Sequence, residues 1–318
     1  MESDGVPRAQ PQAQPKRACP DWRAGPLCLV GTRFRPVCAA GSRGWQALTV
    51  AWTREVLVSE RVGVETVVVG HGGGRKLCAD LYRPPVPNGA GVLLIHGGSF
   101  VRGDRNQLRG YGIALGRVGY TCLACEYRLA GEAGWPAQLD NVHLALAYLH
   151  DQAPSLGVDP AKIAVSGNSA GGCLALLVAA VRQRPVAAAI AFYAAVDFLG
   201  DDARAKGAPE AMTFLLGEDV SEARLASMSA ISYVGPEFPP TMLVTGNRDE
   251  LIHWGESLRM YRALVDAGVP AEIHIFDGAP HAFDLLPDFG RQCAGLLSLF
   301  LDAHVTNPRA LVIRAQPG

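Results

Sequence analysis

The strongest constraint on this chain is a short segment around Ser169, with Gly167 and Gly171 two positions to either side, that lies between two apolar runs. The run at 162–165 is typical of a short buried strand, and the run at 173–180 is typical of a buried helix. At such a tight strand-to-helix turn, side chains larger than glycine would collide with the neighbouring strand or helix. The pattern therefore predicts an α/β fold in which the Ser169 hydroxyl is exposed at the edge of a sheet.

The same segment has a plainer interpretation, in which a Gly/Ser loop caps the helix and Ser169 has no chemical role. The apolar strand before it and the apolar helix after it favour a nucleophilic serine instead. In that geometry the backbone N–H of Ala170 lies at a helix N-terminus, where it can donate to a negatively charged oxygen. Ser169 is therefore the candidate nucleophile.

Strand-like and helical stretches alternate along most of the chain. Because alternating strands and helices form βαβ units, the pattern predicts a mostly parallel central sheet flanked by helices. The predicted strands lie at 55–58, 64–69, 77–82, 91–95, 120–125, 161–165, 186–195, 241–245 and 271–276, and the predicted helices at 107–118, 136–150, 170–182, 254–267 and 289–303.

The chain of 318 residues, 49% of them hydrophobic, suits one large domain better than two small ones. Residues 1–49 are rich in Pro, Arg, Gln and Gly and lack a sustained period, so we expect a weakly ordered N-terminal extension. Residues 50–318 are the expected catalytic domain. Residues 197–240 interrupt its alternation and are the expected small cap over the carboxyl edge of the sheet.

The formal net charge of −1 gives no electrostatic reason to expect binding to nucleic acid or to a membrane. No signal peptide and no membrane-spanning run is recognised, so a cytoplasmic location is expected. The eight cysteines suit a reducing compartment as small buried residues. The oligomeric state is left open by the sequence, with a homodimer among the expected states.

Cys122 and Cys125 have the spacing of a metal or redox pair, but they lie in an apolar run that predicts a strand. Side chains three positions apart on a strand face opposite sides of the sheet. We therefore expect neither a metal site nor a redox site there, and no metal or cofactor elsewhere.

Two strings of similar composition, residues 71–74 (His-Gly-Gly-Gly) and 96–99 (His-Gly-Gly-Ser), compete as oxyanion loops. The first joins two strand-like runs, which predicts a hairpin turn. The second follows the buried run 91–95 and leads toward a helix, where glycines allow backbone N–H groups to approach a substrate oxygen. Gly97, Gly98 and Ala170 are therefore the expected oxyanion donors.

A nucleophilic serine needs a base and an orienting acid, which in this kind of sheet follow later strands in the order Ser, Asp/Glu, His. Asp249 follows the strand predicted at 241–245, and His281 follows the strand predicted at 271–276. The weaker rivals have local explanations or less suitable positions: they are Glu250 and Asp197 for the acid, and His96, His253 and His274 for the base.

Taken together, these motifs resemble those of α/β-hydrolases of the hormone-sensitive-lipase and microbial esterase-lipase group, in its small-capped, feruloyl-esterase-like branch. The resemblance covers about residues 55–305. It is carried by residues 96–100 (His-Gly-Gly-Ser-Phe), 126–129 (Glu-Tyr-Arg-Leu) and 167–172 (Gly-Asn-Ser-Ala-Gly-Gly), by Asp249 and by residues 281–283 (His-Ala-Phe).

The resemblance implies a triad of Ser169, Asp249 and His281. Two positions depart from the commonest pattern, because Ser99 stands where a third glycine is frequent and Asn168 where an aspartate is frequent. The substrate-pocket candidates are Ser99, Phe100 and Asn168, and the residues that look like structural scaffold are Glu126, Arg128, Trp135 and Asp140.

We therefore expect a cofactor-free serine carboxylesterase that acts on small-molecule esters, short-acyl or aryl, through an acyl-enzyme intermediate. One alternative keeps the triad and changes the substrate to an amide, as in amidase-, formamidase- or peptidase-like relatives. Another is a non-catalytic ligand-binding protein on a hydrolase fold. Because such proteins usually lose a triad member and this chain has all three, the enzyme is favoured.

Overall fold

The computed structural model describes residues 61–199, 215–218 and 220–308. All of them belong to a single unit, Leu57–Gly318. The expected extension at 1–49 and the strand predicted at 55–58 lie outside the described residues.

One eight-stranded sheet organises the described chain. The strands are β1 (Gly63–Gly72), β2 (Arg75–Arg83), β3 (Gly91–Ile95), β4 (Thr121–Cys125), β5 (Ile163–Asn168), β6 (Ala188–Phe192), β7 (Thr241–Gly246) and β8 (Ala271–Phe276). Their order in the sheet is β1-β2-β4-β3-β5-β6-β7-β8. β1 pairs antiparallel with β2, and β2 antiparallel with β4, whereas the other neighbours are parallel.

The parallel strands in the middle of the sheet are apolar throughout because helices cover them on both faces. Every residue of β3, β4, β5, β6 and β7 is buried. β6 ends at Phe192, three residues before the predicted end, because Tyr193 has a positive φ of 36° that a strand does not accommodate.

The helices form a layer on each face of the sheet. The helices are α1 (Arg109–Gly116), α2 (Ala137–Gln152), α3 (Ala170–Val181), α4 (Glu222–Met228), α5 (Gly255–Asp266) and α6 (Pro287–Leu301). One core cluster contains buried side chains of α2, α3 and α5, and the other contains those of α1 and α6. None of those described is long and apolar enough to cross a membrane.

The two cysteines of strand β4 lie in different core clusters, Cys122 on the α1 and α6 face and Cys125 on the α2 and α3 face. Their thiols therefore point to opposite sides of the sheet, as the strand geometry predicts. Burial raises the pKa of the Cys122 thiol far above its usual range and that of Cys125 to about 12, so neither is a ready thiolate.

The described part of the insertion at 197–240 packs against a loop that carries Trp135. The Trp135 indole donates to the Ser227 hydroxyl at 2.9 Å, and the Arg224 guanidinium donates to the Trp135 carbonyl at 2.8 Å. Leu225 and Met228 of α4 join the core on the α2 and α3 face. A cap over the carboxyl edge remains a prediction, because residues 200–214 and 219 lie outside the described chain.

Candidate active site

Ser169 lies in a tight turn between strand β5 and helix α3, with φ 54° and ψ −120°. The flanking glycines are required sterically. A Cβ at Gly167 would lie 2.1 Å from the carbonyl oxygen of Gly171, and a Cβ at Gly171 would lie 2.1 Å from that of Ile95. These contacts are the physical reason for the glycine–serine–glycine spacing, and they hold Ser169 in a strained conformation at the end of the sheet.

His281 contacts both Ser169 and Asp249. Its Nε2 lies 3.0 Å from Ser169 Oγ, and its Nδ1 lies 2.7 Å from Asp249 Oδ2. The Asp249 side chain is fully buried, whereas the imidazole is 19% exposed. The three side chains expected from the order of the strands therefore form one continuous hydrogen-bonded chain, with the serine end able to meet a substrate.

Asp249 is held in place by its own loop. Its Oδ1 accepts hydrogen bonds from the N–H groups of Leu251 at 2.9 Å and Ile252 at 2.8 Å, which leaves Oδ2 directed at His281. Glu250 is exposed to solvent. Of the two adjacent acids, Asp249 is therefore the one that contacts the imidazole.

The other rival histidines are in local structural contacts. His274 lies in strand β8 with its Nε2 3.3 Å from the Glu272 carboxylate. His253 precedes helix α5, where its Nδ1 accepts from the N–H of Gly255, the first residue of the helix, at 3.1 Å.

The loop after strand β3, which we call the oxyanion loop (residues 96–100), lies against the serine turn. A Cβ at Gly97 would lie 2.7 Å from the Asn168 carbonyl oxygen, so only glycine allows this approach. Gly98, Ser99 and Phe100 have successive positive φ values of 115°, 53° and 64°. Positive φ values at two successive non-glycine residues are uncommon and mark a strained turn.

The expectation for Gly97 needs correction. Its N–H donates to Gln107 Oε1 at 2.8 Å and is thereby engaged within the protein. Among residues 61–199, 215–218 and 220–308, no acceptor is found for the N–H of Gly98, Ser99 or Ala170. Gly97 therefore shapes the loop, and the remaining N–H groups are the candidate donors.

His96 begins the oxyanion loop as a buried support. Its Nδ1 is 2.8 Å from the Gly97 carbonyl oxygen, and its ring stacks on Tyr127 with centroids 4.2 Å apart. Burial lowers the pKa of His96, although its hydrogen bond with Gly97 opposes the shift. The folded environment therefore favours the neutral imidazole of His96.

The three substrate-pocket candidates lie in different environments. Ser99 is partly exposed in the oxyanion loop, whereas Phe100 is 5% exposed and belongs to the core. Asn168 is 4% exposed, and its amide donates to the Tyr193 hydroxyl and to the Asp284 carboxylate. The Asn168 side chain is therefore committed to buried partners.

Four residues are expected to be structural scaffold, and the contacts of one of them, Trp135, are given above. Two of the other three form hydrogen bonds that join neighbouring segments. Glu126 accepts from the Cys78 N–H and forms ion pairs with Arg75 and Arg105. Arg128 donates to Asn141 at 3.0 Å. Asp140 is exposed at the start of helix α2.

Residues that the sequence analysis did not single out complete the site: Gln107, which accepts from the oxyanion loop, and Tyr111, Tyr193 and Asp284 behind the triad. The one available signal was Asp284, an isolated acid in the otherwise apolar run 283–286. A lone acid in such a run indicates a buried carboxylate with dedicated donors.

The family model BD-FAE matches residues 79–264, which is more than half of the chain and includes Ser169 and Asp249. The chain belongs to the BD-FAE family. Esterase LipQ of Mycobacterium tuberculosis is 30% identical over 264 residues, which cover 76% of this chain and 63% of LipQ. Ethyl acetate hydrolase of Pseudomonas putida is 37% identical over 123 residues, which cover 36% of this chain and 38% of that protein. The chain thus spans less than two thirds of the length of these curated relatives.

Among solved structures, a bacterial heroin esterase matches this BD-FAE chain with a TM-score of 0.67 and 26% identity, covering 79% of this chain and 87% of that protein. The family match and these neighbours establish the α/β-hydrolase fold and a place in the hormone-sensitive-lipase-like esterase group, as the motifs predicted.

Proposed function

We propose that the chain is a serine carboxylesterase that hydrolyses small esters with Ser169 as nucleophile, His281 as base and Asp249 as the orienting acid. One observation carries the proposal, namely the continuous contact from Ser169 Oγ to His281 Nε2 (3.0 Å) and from His281 Nδ1 to Asp249 Oδ2 (2.7 Å). The esterase names of the relatives support the reaction class.

A serine hydroxyl attacks a carbonyl only when a base removes its proton. In the proposed reaction, Ser169 Oγ attacks the ester carbonyl carbon while His281 Nε2 takes the hydroxyl proton. Asp249 accepts from the Nδ1–H, which fixes the tautomer and stabilises the imidazolium without itself taking the proton.

The tetrahedral intermediate carries a negatively charged oxygen. In the proposed reaction, the N–H groups of Gly98, Ser99 and Ala170 donate hydrogen bonds to it. The loop geometry supports this assignment, because the oxyanion loop approaches the serine turn and these three N–H groups have no acceptor in the described chain. Donors that are fixed before the reaction need no reorganisation as the charge develops.

His281 then gives its proton to the departing alkoxide, which leaves as the alcohol while the acyl group stays on Ser169. A water molecule then attacks the carbonyl carbon of the acyl group, with His281 again as base, and the carboxylic acid is released from Ser169. The small-ester preference is supported by the short insertion at 197–240 and by the name of the ethyl acetate hydrolase relative.

The direct test measures turnover of p-nitrophenyl acetate and covalent labelling by a fluorophosphonate. We expect Ser169→Ala to abolish labelling and to lower kcat by several powers of ten, because triad members act as a unit. Matched turnover of p-nitroacetanilide separates an esterase from an amidase. Wild-type protein that neither hydrolyses the ester nor takes the label contradicts the proposal.

The assignment of the acid has its own matched pair. Asp249→Asn is expected to lower kcat by about ten-thousandfold, because the wrong imidazole tautomer is then favoured. Glu250→Gln changes the adjacent, exposed side chain and is expected to cost far less. A larger loss for Glu250→Gln than for Asp249→Asn contradicts the assignment.

A further inference from the structure

Behind the triad lies a buried carboxylate that the proposed mechanism does not use. Asp284 is 4% exposed, and both of its oxygens are occupied. Its Oδ1 accepts from the Tyr193 hydroxyl, and its Oδ2 accepts from the Tyr111 hydroxyl at 2.8 Å and from the Asn168 amide. The Asn168 amide also donates to the Tyr193 hydroxyl at 3.1 Å.

The partners of Asp284 connect the segments that carry the triad. Asn168 is the residue before Ser169, and Asp284 lies three positions after His281. Tyr193 follows strand β6, and its ring packs edge-on against the His281 imidazole with centroids 4.7 Å apart. A hydrogen-bonded path therefore runs from the serine turn through Asn168, Tyr193 and Asp284 to the loop of His281.

A buried carboxylate is a poor means of stabilising a fold, because removing its charge from water is unfavourable. Well-packed apolar residues in the same place often give equal or greater stability. Here burial raises the pKa of Asp284, and its hydrogen bonds to Tyr193, Tyr111 and Asn168 oppose that rise. Burial also raises the pKa of both tyrosines well above their ordinary value, so both remain hydrogen-bond donors. What the carboxylate provides is a directional contact to three donors at once.

We propose that Asp284 is a positioning residue that fixes the loop carrying His281 against the strand end carrying Ser169, acting through Asn168 and Tyr193. This inference rests on the proposed function, because it concerns how that triad keeps its geometry. A small displacement between a nucleophile and its base slows the reaction, and a shift of about 1 Å can lower the rate roughly a hundredfold.

The test uses a pair of variants that each remove one hydroxyl from the same carboxylate. Tyr193→Phe keeps the ring on His281 but breaks the contacts to both Asn168 and Asp284. Tyr111→Phe removes a donor that comes from helix α1 and contacts neither Asn168 nor His281 in the hydrogen bonds described above. Each variant loses one buried hydroxyl that donates to Asp284, but only Tyr193→Phe also loses the contact to Asn168, so their effects on the triad are expected to differ.

The readout is kcat per active site, with sites counted by fluorophosphonate titration. A purely structural role lowers the number of sites and leaves kcat per site unchanged. We expect Tyr193→Phe to lower kcat per site by about tenfold or more, with KM changed by less than about threefold, and Tyr111→Phe to lower it less. Asp284→Ala is expected to cost about a hundredfold per site, and Asp284→Asn to recover part of that loss by keeping an acceptor.

The inference is overturned if kcat per titrated site stays within about twofold of wild type in both Tyr193→Phe and Asp284→Asn, or if Tyr111→Phe is the more damaged of the two tyrosine variants. The Tyr pair gives this answer even where Asp284→Ala does not fold. Failure of the proposed function looks different, because it appears in the wild type itself as absent turnover and absent labelling.

Discussion

Residues 71–74 and 96–99 have almost the same letters and entirely different surroundings. The first string ends strand β1 and forms the two-residue turn to β2, in which Gly73 and Gly74 have φ values of 57° and 84°. Two central residues with positive φ are the mark of a two-residue hairpin turn that matches the twist of antiparallel strands. The second string follows the fully buried strand β3 and lies against the serine turn.

The difference teaches that glycine has two separate uses here. In the two-residue turn it supplies backbone angles, because a Cβ at Gly73 would approach only the flexible Arg128 side chain and a Cβ at Gly74 would meet nothing within 4 Å. In the oxyanion loop it also supplies space, because a Cβ at Gly98 would lie 2.1 Å from the Arg102 carbonyl oxygen. Substitution should therefore affect stability in the first string and the geometry of the reaction in the second.

Within this comparison of the two strings, the largest expected effect is that of Gly98→Ala. The added methyl group would displace a loop with φ 115° at this position and move the N–H groups of the proposed oxyanion site. We expect kcat to fall by about a hundredfold to a thousandfold, the usual cost of losing an oxyanion donor. Turnover of p-nitrophenyl acetate checks this, with circular dichroism to confirm that the variant is folded.

Gly73→Ala is the matched control in the hairpin. Its φ of 57° makes alanine unfavourable by about 1–2 kcal/mol of unfolding free energy. The nearest atom to the new Cβ would be Arg128 Nη1 at 2.9 Å, the end of a flexible side chain that can move aside. Activity per folded molecule should stay at the wild-type level. The comparison fails if Gly73→Ala loses more activity than Gly98→Ala.

Much of the site could be predicted because it follows from local rules. The serine turn is specified by its two glycines, and Asp249 and His281 come directly after strands β7 and β8, whose carboxyl ends meet at one edge. The hairpin at 71–74 was also predicted correctly, since strands flank it on both sides.

What could not be predicted depends on side chains that meet only in the folded chain. Gln107 accepts from the N–H of Gly97, a contact between residues ten apart that no periodicity encodes. Tyr111 and Asp284 are 173 positions apart, yet they share a hydrogen bond. Such pairs are fixed by tertiary packing, so a sequence pattern indicates at most that Asp284 needs partners.

A second prediction concerns how the oxyanion loop is held, because the hairpin needs no comparable side-chain acceptor at its turn. Gln107→Ala removes the acceptor of the Gly97 N–H, and a partly buried N–H without a partner will move the loop. We expect kcat to fall about tenfold. Asn106→Ala changes the exposed neighbour and is the control. Equal losses in the two variants would show that Gln107 does not hold the loop.

The smallest expected effect concerns His71 and His96, the first residues of the two strings, and how each affects the pH dependence of the free energy of unfolding. His96 is buried and its pKa is lowered in the folded state, chiefly by desolvation, whereas His71 is exposed. Below the unfolded value of about 6.5, the unfolded chain binds a proton at His96 that the folded chain takes up less readily. The free energy of unfolding therefore falls as the pH is lowered through and below that value.

His96→Gln should make this fall shallower. The slope of the free energy of unfolding against pH should decrease by at most about 1.4 kcal/mol per pH unit, the contribution of one proton. Burial also lowers the pKa of His143 and His150, so a residual fall remains in the variant. His71→Gln changes an exposed histidine, leaves all three buried histidines in place and is the control. Urea unfolding between pH 7.5 and pH 5 measures the three slopes. Because the slope compares pH values within each variant, a uniform loss of stability from His96→Gln does not enter it. If His96→Gln keeps the wild-type slope, the proton of His96 is not coupled to folding.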